Sequence, residues 1–296
     1  MTTILICGGT GRVGAHLVAE LLVAGHRPRV LVRDPAHAPQ DWRAAGVDLV
    51  IGDFTDAKSL ATAVRGVDRL FLTSADGPTK VADETAVIHA AVRSGIRRIV
   101  RLSAMHAQIG STLPAFDWHG QIDYELDRSE VPYTLLRPAF FVDNLLMVAP
   151  GVAATGHLAS PTAGARAAMI DVRDVAASAA AALLTDGPLR ADYDLTGPQA
   201  ITFVEVAAAL SEATGQDIVF DDLTPEQAAP RFSGAGLPDW LAAQLSGAFA
   251  LLRAGGFDVV ADGVPALTGR PATTVRAWAD THAAAFGPAT ELASDR

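Results

Sequence analysis

The sequence predicts an α/β protein: a doubly wound, mainly parallel sheet with a smaller, mainly helical C-terminal lobe. Three observations predict it. Short β-rich apolar runs alternate with helical segments through the first half of the chain, as parallel strands joined by helical crossovers do. A glycine loop, Gly8-Gly9-Thr10-Gly11-Arg12-Val13-Gly14, directly follows the first run and opens an amphipathic segment. The 296 residues are 50% hydrophobic and 19% charged, enough to bury a sizeable core and too apolar for a disordered chain.

Strands are predicted at residues 3–7, 29–32, 47–51, 69–73, 99–102 and 134–136, each a compact apolar run suited to a strand covered on both faces. In the first helix Val13, Leu17 and Leu21 recur at a spacing of four beside Val18 and Leu22, and Gly25 is placed to end it in the left-handed region. After Arg137-Pro138 the rhythm loosens, and residues 149–164 read as a loop over the open end of the sheet. Residues 1–150 are therefore expected to form the sheet domain and residues 151–296 the smaller lobe, with segments near 168–197 returning to the sheet. Within that return, 168–171 is expected as a strand, 172–184 as a helix and 193–196 as a strand. From Thr202 the chain is expected to be mostly helical, Thr202 and Glu205 forming a capping box, and residues 287–296 read as a frayed polar tail.

Thirty-three acidic against 23 basic residues give a net charge of -10, which repels the phosphate backbone and excludes nucleic acid as a primary partner. Cys7 is the single cysteine, so neither an internal disulfide nor a zinc cluster is available, and no metal is expected. The most apolar run, residues 175–184, is shorter than a bilayer span. With no signal-like segment before the glycine loop the protein is expected to be cytoplasmic, as a monomer or homodimer, with no membrane partner.

The glycine loop carries the clearest chemistry. In a strand–turn–helix setting, Gly8 permits the tight turn, Gly11 lets backbone amides approach a pyrophosphate, and Gly14 lets the helix pack closely on the strand. Thr10, Arg12 and Val13 complete the expected dinucleotide contact, in a Rossmann-like arrangement. The second strand ends Val32-Arg33-Asp34-Pro35, beside the place of an adenine ribose. Arg33, with Arg12, suits a 2′-phosphate and favours NADPH; Asp34 reading a free 2′-hydroxyl, and hence NADH, is the alternative.

On these residues the chain resembles NmrA-like, atypical members of the short-chain dehydrogenase/reductase superfamily, of the NAD(P)H-dependent quinone-reductase and triphenylmethane-reductase type. The matching stretches are the glycine loop, VRDP at 32–35, GDFTD at 52–56, the Leu-Ser ending the fifth strand, TLLRPAFFVDN at 134–144, DVRDVA at 171–176 and YDLTGP at 193–198. The resemblance implies that Asp53 and Phe54 meet the adenine, that Thr73 and Ser74 lie along the cofactor, and that Pro138 to Phe141, Phe140 included, back the nicotinamide. Asp53 as a helix cap, and Phe140 and Phe141 as core, are the structural alternatives.

The resemblance departs at the TyrxxxLys pair of ordinary superfamily members, whose tyrosine position falls on Ala115 and lysine position on His119. His119 becomes the first candidate for ribose binding and proton relay, with Ser103 and His106 at the fifth strand end as further catalytic candidates. Hydride transfer survives loss of the tyrosine when the acceptor is conjugated, because the cofactor supplies the hydride and charge spreads through the acceptor. The expected function is thus reduction of a quinone, enone or similar aromatic small molecule. The expected pocket is apolar, with Phe116, Trp118, Phe141 and Asn144 as substrate candidates and Leu145, Phe232 and Trp240 as further walls, core being the alternative for each wall residue and the default for Trp240. A non-catalytic dinucleotide sensor, or a cyclase, epimerase or dehydratase on the same scaffold, is the alternative.

Overall fold

The computed structural model describes residues 2–233 and 237–287, with the side chains of residues 229 and 231–233 excepted. The side chain of Phe232 and the tail expected beyond Gly287 lie outside the described residues. The strands are β1 (Ile4–Cys7), β2 (Arg29–Val32), β3 (Asp48–Ile51), β4 (Arg69–Leu72), β5 (Arg98–Leu102), β6 (Tyr133–Pro138), β7 (His157–Ser160), β8 (Arg166–Ala167), β9 (Arg190–Leu195), β10 (Ile201–Thr202) and β11 (Val219–Asp222). The helices are α1 (Arg12–Val23), α2 (Asp41–Ala44), α3 (Ala57–Ala63), α4 (Lys80–Ser94), α5 (Pro114–Arg128), α6 (Ala149–Thr155), α7 (Val172–Leu184), α8 (Phe203–Thr214), α9 (Pro225–Ser233), α10 (Asp239–Arg253), α11 (Gly263–Thr268) and α12 (Val275–Phe286).

The described residues divide into two compact units that interleave along the chain. The first takes Met1–Pro138, Val172–Leu195 and Asp262–Arg270; the second takes Ala139–Asp171, Thr196–Ala261 and Pro271–Arg296. The first holds a parallel sheet of seven strands in the order β3-β2-β1-β4-β5-β6-β9. Every residue of β1 and β4 is buried, as strands covered by helices on both faces must be. The strand order reverses around β1, which pairs with β2 on one side and β4 on the other. A crevice at the carboxyl ends of the strands belongs to such a reversal, and it follows the first loop, between β1 and α1.

Helix α1 buries Val13, Leu17, Val18 and Leu21 on one face, and beyond its last turn Gly25 takes φ +81°, a conformation costly for a side-chain-bearing residue. Helix α7 has the bounds expected from sequence and packs against α1, its buried alanines, Ala176 and Ala179 among them, permitting close approach. Its last carbonyls are not left orphaned. Arg69 donates to the Leu183 and Thr185 oxygens at 2.6 and 2.9 Å, and Arg98 donates to those of Gly187 and Pro188 at 2.7 and 3.0 Å. These two buried cations, at the amino ends of their strands, therefore hold the end of α7 and the segment after it at the end of the sheet opposite the crevice.

The second unit is built on its own core. Phe140 packs with Phe203, Phe249 and Phe257, each ring centroid 6.3 Å away, and Trp278 lies fully buried beside Phe286. Two expectations are corrected here. Residues 149–164 are not a loop but carry α6 and β7, because Ala149 and Val152 form a buried face and Gly156, at φ +71°, ends the helix. Residues 168–171 do not form a strand: Ile170 makes a single bridge to Phe141, and Ala168 gives its N–H to the Phe257 oxygen. That stretch is held instead by backbone packing, since a Cβ on Gly197 would sit 2.1 Å from the Met169 oxygen. The capping box forms as expected, with the Thr202 hydroxyl accepting from Glu205 N–H and the Glu205 carboxylate from Thr202 N–H. Among the described residues no helix is long and apolar enough to cross a membrane.

Candidate functional site

At the end of β1 the glycines answer to different neighbours. Gly8 adopts φ +82°, and a Cβ there would lie 2.5 Å from the Thr73 carbonyl oxygen; one on Gly9 would lie 2.4 Å from a Val30 methyl. A Cβ on Gly14 would start 2.2 Å from the Gly8 oxygen, so the first turn of α1 rests directly on the turn before it. Gly11 differs. It is extended, forms the N-cap of α1, and its Cβ would meet nothing closer than the Gly8 oxygen at 3.3 Å. No side chain caps the start of α1, so the amide end of the helix dipole opens beside exposed Thr10, Gly11 and Arg12. Val13 lies in the same turn with its side chain buried.

At the tips of β2 and β3 the two acids are engaged locally. The Asp34 carboxylate accepts from Ala36 N–H at 2.9 Å and lies 3.3 Å from His37, so it caps the short turn that follows β2. Asp53 accepts from both the hydroxyl and the N–H of Thr55, at 2.6 and 2.8 Å. Those bonds, with nearby Arg33 adding a smaller pull, hold the Asp53 carboxyl below its usual range. Helix α3 is capped by Asp56 instead, through Lys58 N–H. Phe54 packs partly buried against the sheet core. Arg33 is exposed.

The carboxyl ends of β4, β5 and β6 converge on a buried charged network. Arg101, fully buried, donates through Nε to Glu84 at 2.9 Å, through one terminal nitrogen to Asp123, and lies through the other 3.2 Å from His119 Nδ1. Glu84, also fully buried, receives Lys80 Nζ at 2.8 Å and the Ser74 hydroxyl at 2.7 Å. Burial pushes the Glu84 carboxyl upward, but Arg101 and Lys80 outweigh it and bring the pKa down to about 2. The far nitrogen of His119, Nε2, lies 3.5 Å from half-exposed Asp76, which Lys80 also approaches at 3.3 Å. Burial, with Arg101 and Lys80 adding to it against the pull of Asp76, lowers the His119 pKa. Asp123 also receives the Ser103 hydroxyl at 2.7 Å and Arg137 at 3.4 Å.

The fold thus gathers Gly8, Gly11, Gly14, Thr73, Ser74, Ser103, His119 and Pro138 in the first unit, on or just after carboxyl strand ends or on the helices that follow. Ser103 is 3% exposed and its hydroxyl is committed to Asp123. His106 is exposed at φ +68°, its ring 6.0 Å from that of Phe116, and Phe116 and half-buried Trp118 sit in the first turns of α5 with buried Ala115. Phe140, Phe141 and Asn144 belong to the second unit, with Leu145 buried and Trp240 half-buried there. Lys80, Glu84, Arg101 and Asp123 were not anticipated. The available signal was Arg101 itself, a charge inside the run Ile99-Val100-Arg101-Leu102, where a strand covered on both faces has no water to offer it.

A family model described as the NmrA-like family matches residues 1–260. The NAD(P)H azoreductase of Xenophilus azovorans is 37% identical over 286 residues, spanning 97% of this chain and 100% of the relative. The structure of the NADPH-dependent quinone oxidoreductase of Escherichia coli complexed with NADPH superposes with a TM-score of 0.85 at 29% identity, covering 95% of this chain and 99% of that one. The triphenylmethane reductase of Citrobacter sp., complexed with NADP(H), shares the fold with a TM-score of 0.84 at 23% identity over 95% of this chain and 99% of that one.

Proposed function

The chain belongs to the NmrA-like family, and from that premise we propose that it is an NADPH-dependent reductase passing hydride to a quinone, azo or similarly conjugated aromatic acceptor. It is an NAD(P)H-dependent oxidoreductase, as its relatives are. The observation that carries the cofactor reading is Gly11. Gly8, Gly9 and Gly14 are explained by protein neighbours inside 2.6 Å of a Cβ, whereas Gly11 has none closer than 3.3 Å and lies open at an uncapped helix start. A close-approaching anion outside the protein accounts for the missing side chain there.

In this reading the backbone of Gly8, Thr10, Gly11, Arg12, Val13 and Gly14 holds the pyrophosphate. Arg33 takes the 2′-phosphate, since Asp34 is occupied in capping its own turn. Asp53 and Phe54 flank the adenine, Thr73 and Ser74 run beside the dinucleotide, and Pro138 backs the nicotinamide, with His119 toward its ribose. Bound NADPH supplies the hydride. A conjugated acceptor delocalises the charge that arrives with it, so the hydride step needs no enzyme proton donor such as the superfamily tyrosine, and the proton that completes the reduction comes from solvent. Within the first unit, Phe116 and Trp118 are the residues proposed to meet this acceptor.

The test is a fluorescence titration with NADPH and with NADH, followed by turnover on a panel of quinones, azo dyes and enones. Tight NADPH binding with turnover of at least one conjugated class is expected. Tight binding with no turnover on any member would replace the reductase with a non-catalytic sensor, and no binding of either nucleotide would remove the reading altogether.

A further inference from the structure

The network behind the strand ends fixes more than charge. A guanidinium carries only N–H donors and does not lose a proton in a folded protein. The His119 nitrogen 3.2 Å from Arg101 must therefore accept, which leaves the ring proton on the other nitrogen, Nε2, facing Asp76 at 3.5 Å. Arg101 is held to this task by its other bonds, to Glu84 at 2.9 Å, to Asp123 and to the His119 carbonyl oxygen at 3.5 Å, all within a buried cluster.

We infer that Arg101 is a positioning residue that locks His119 in the neutral Nε2–H tautomer, so that His119 meets a bound ligand as a hydrogen-bond donor and not as a source of protons. The inference rests on the reading that the dinucleotide lies along these strand ends, and it narrows the proton-relay role expected of His119. Protonating Nδ1 would break its bond to Arg101 and set two donors face to face. The charged groups around the ring work the same way on balance. Burial, Arg101 and Lys80 oppose a positive charge on the ring, while Asp76 beside Nε2 and the Glu84 carboxylate favour one, and burial with the two cations outweighs the carboxylates. Asp76 is half exposed and its bond to Nε2 is long, so a ligand oxygen arriving at the strand ends can take the N–H from it. A site with a neutral donor here favours acceptors that need no enzyme-derived proton at the hydride step, in line with conjugated substrates.

The test reads the tautomer directly. The full chain, 15N-labelled at histidine, is followed by long-range 1H–15N correlation from about pH 6 to about pH 8, the ordinary titration range of the side chain, with His119→Asn identifying the His119 signals by their loss. The expected result is an unchanging Nε2–H pattern for His119 across the range, with the Nε2 signal moving on addition of NADPH. An Nδ1–H pattern, an imidazolium at the lower end, or an Nε2 signal unmoved by saturating NADPH overturns the inference. Failure of the cofactor reading is distinct, because it shows as absent NADPH binding in the fluorescence titration whatever the tautomer. Arg101→Lys keeps a cation for Glu84 and Asp123 but has no fork to reach Nδ1 as well. Mixed tautomers and the onset of titration in this variant support the lock, and a wild-type pattern in it refutes the role of Arg101.

Discussion

The first turn of α1 sits so close to the end of β1 that a methyl group on Gly14 would begin 2.2 Å from the carbonyl oxygen of Gly8. Backbone meets backbone at that point, with no flexible side chain to move aside. Gly14 is thus required by the protein's own packing, while Gly11, three residues earlier, is not.

That difference separates fold from binding. Gly14→Ala should cost about 3 kcal/mol, the upper end of the overpacking range, because backbone cannot move aside. Gly11→Val should leave a folded protein that no longer binds dinucleotide. Circular dichroism melts and NADPH calorimetry on the two variants decide this; unchanged NADPH affinity in folded Gly11→Val would mean the loop is structural throughout.

Arg33 is predicted to set the cofactor preference. With Asp34 tied to Ala36 and His37, Arg33 is the side chain at the β2 tip available to a 2′-phosphate. Arg33→Ala should lower the NADPH-to-NADH affinity ratio roughly 10- to 100-fold, the equivalent of about 1.5–3 kcal/mol for a charge-assisted bond. A variant that keeps the wild-type ratio would shift the assignment to Arg12.

Stability should fall on acidification, in two stages. His119 has a folded pKa below 6.5, so under that pH the unfolded chain binds a proton that the folded chain refuses, and stability drops. Glu84 and Asp76 have folded values near 2 against 4.5 and 3.8, so the stability they contribute is complete above those ordinary values and is lost as pH falls toward 2. Thermal midpoints across a pH series measure it. Glu84→Gln should cost about 3–5 kcal/mol by leaving buried cations short of a partner, and should flatten the lower stage. A pH-independent midpoint from neutrality to pH 4 would contradict the network as described.

In the second unit the capping box offers an independent check. Thr202→Ala removes the acceptor for Glu205 N–H and should cost about 1 kcal/mol, read as a lowered melting temperature with NADPH affinity unchanged. A loss of cofactor binding in this variant would tie α8 to the nucleotide site, contrary to the assignment made here.

The sequence by itself determined the elements whose signals are local. The strand–glycine–helix turn at residues 4–14, the face of α1, the bounds of α7 and the Thr202 capping box all follow from apolar period, glycine placement and side chains that reach three or four residues along the chain. Residues 149–164 misled because glycine, alanine and proline weaken the apolar period even where, as in α6, they are compatible with a helix. Residues 168–171 look like a strand in isolation, but whether an extended run joins a sheet depends on an edge being offered to it, and here the packing of Met169 on Gly197 and of Ala168 on Phe257 took that place. The charged network is the fullest case of what only the tertiary structure decided. Arg101 on β5 meets Glu84 from α4 and both His119 and Asp123 from α5, residues 17 to 22 positions away. A buried charge is tolerable only when others neutralise and hydrogen-bond it, and which residues do so is fixed by how helices cross the sheet, an arrangement that no periodicity along the chain records.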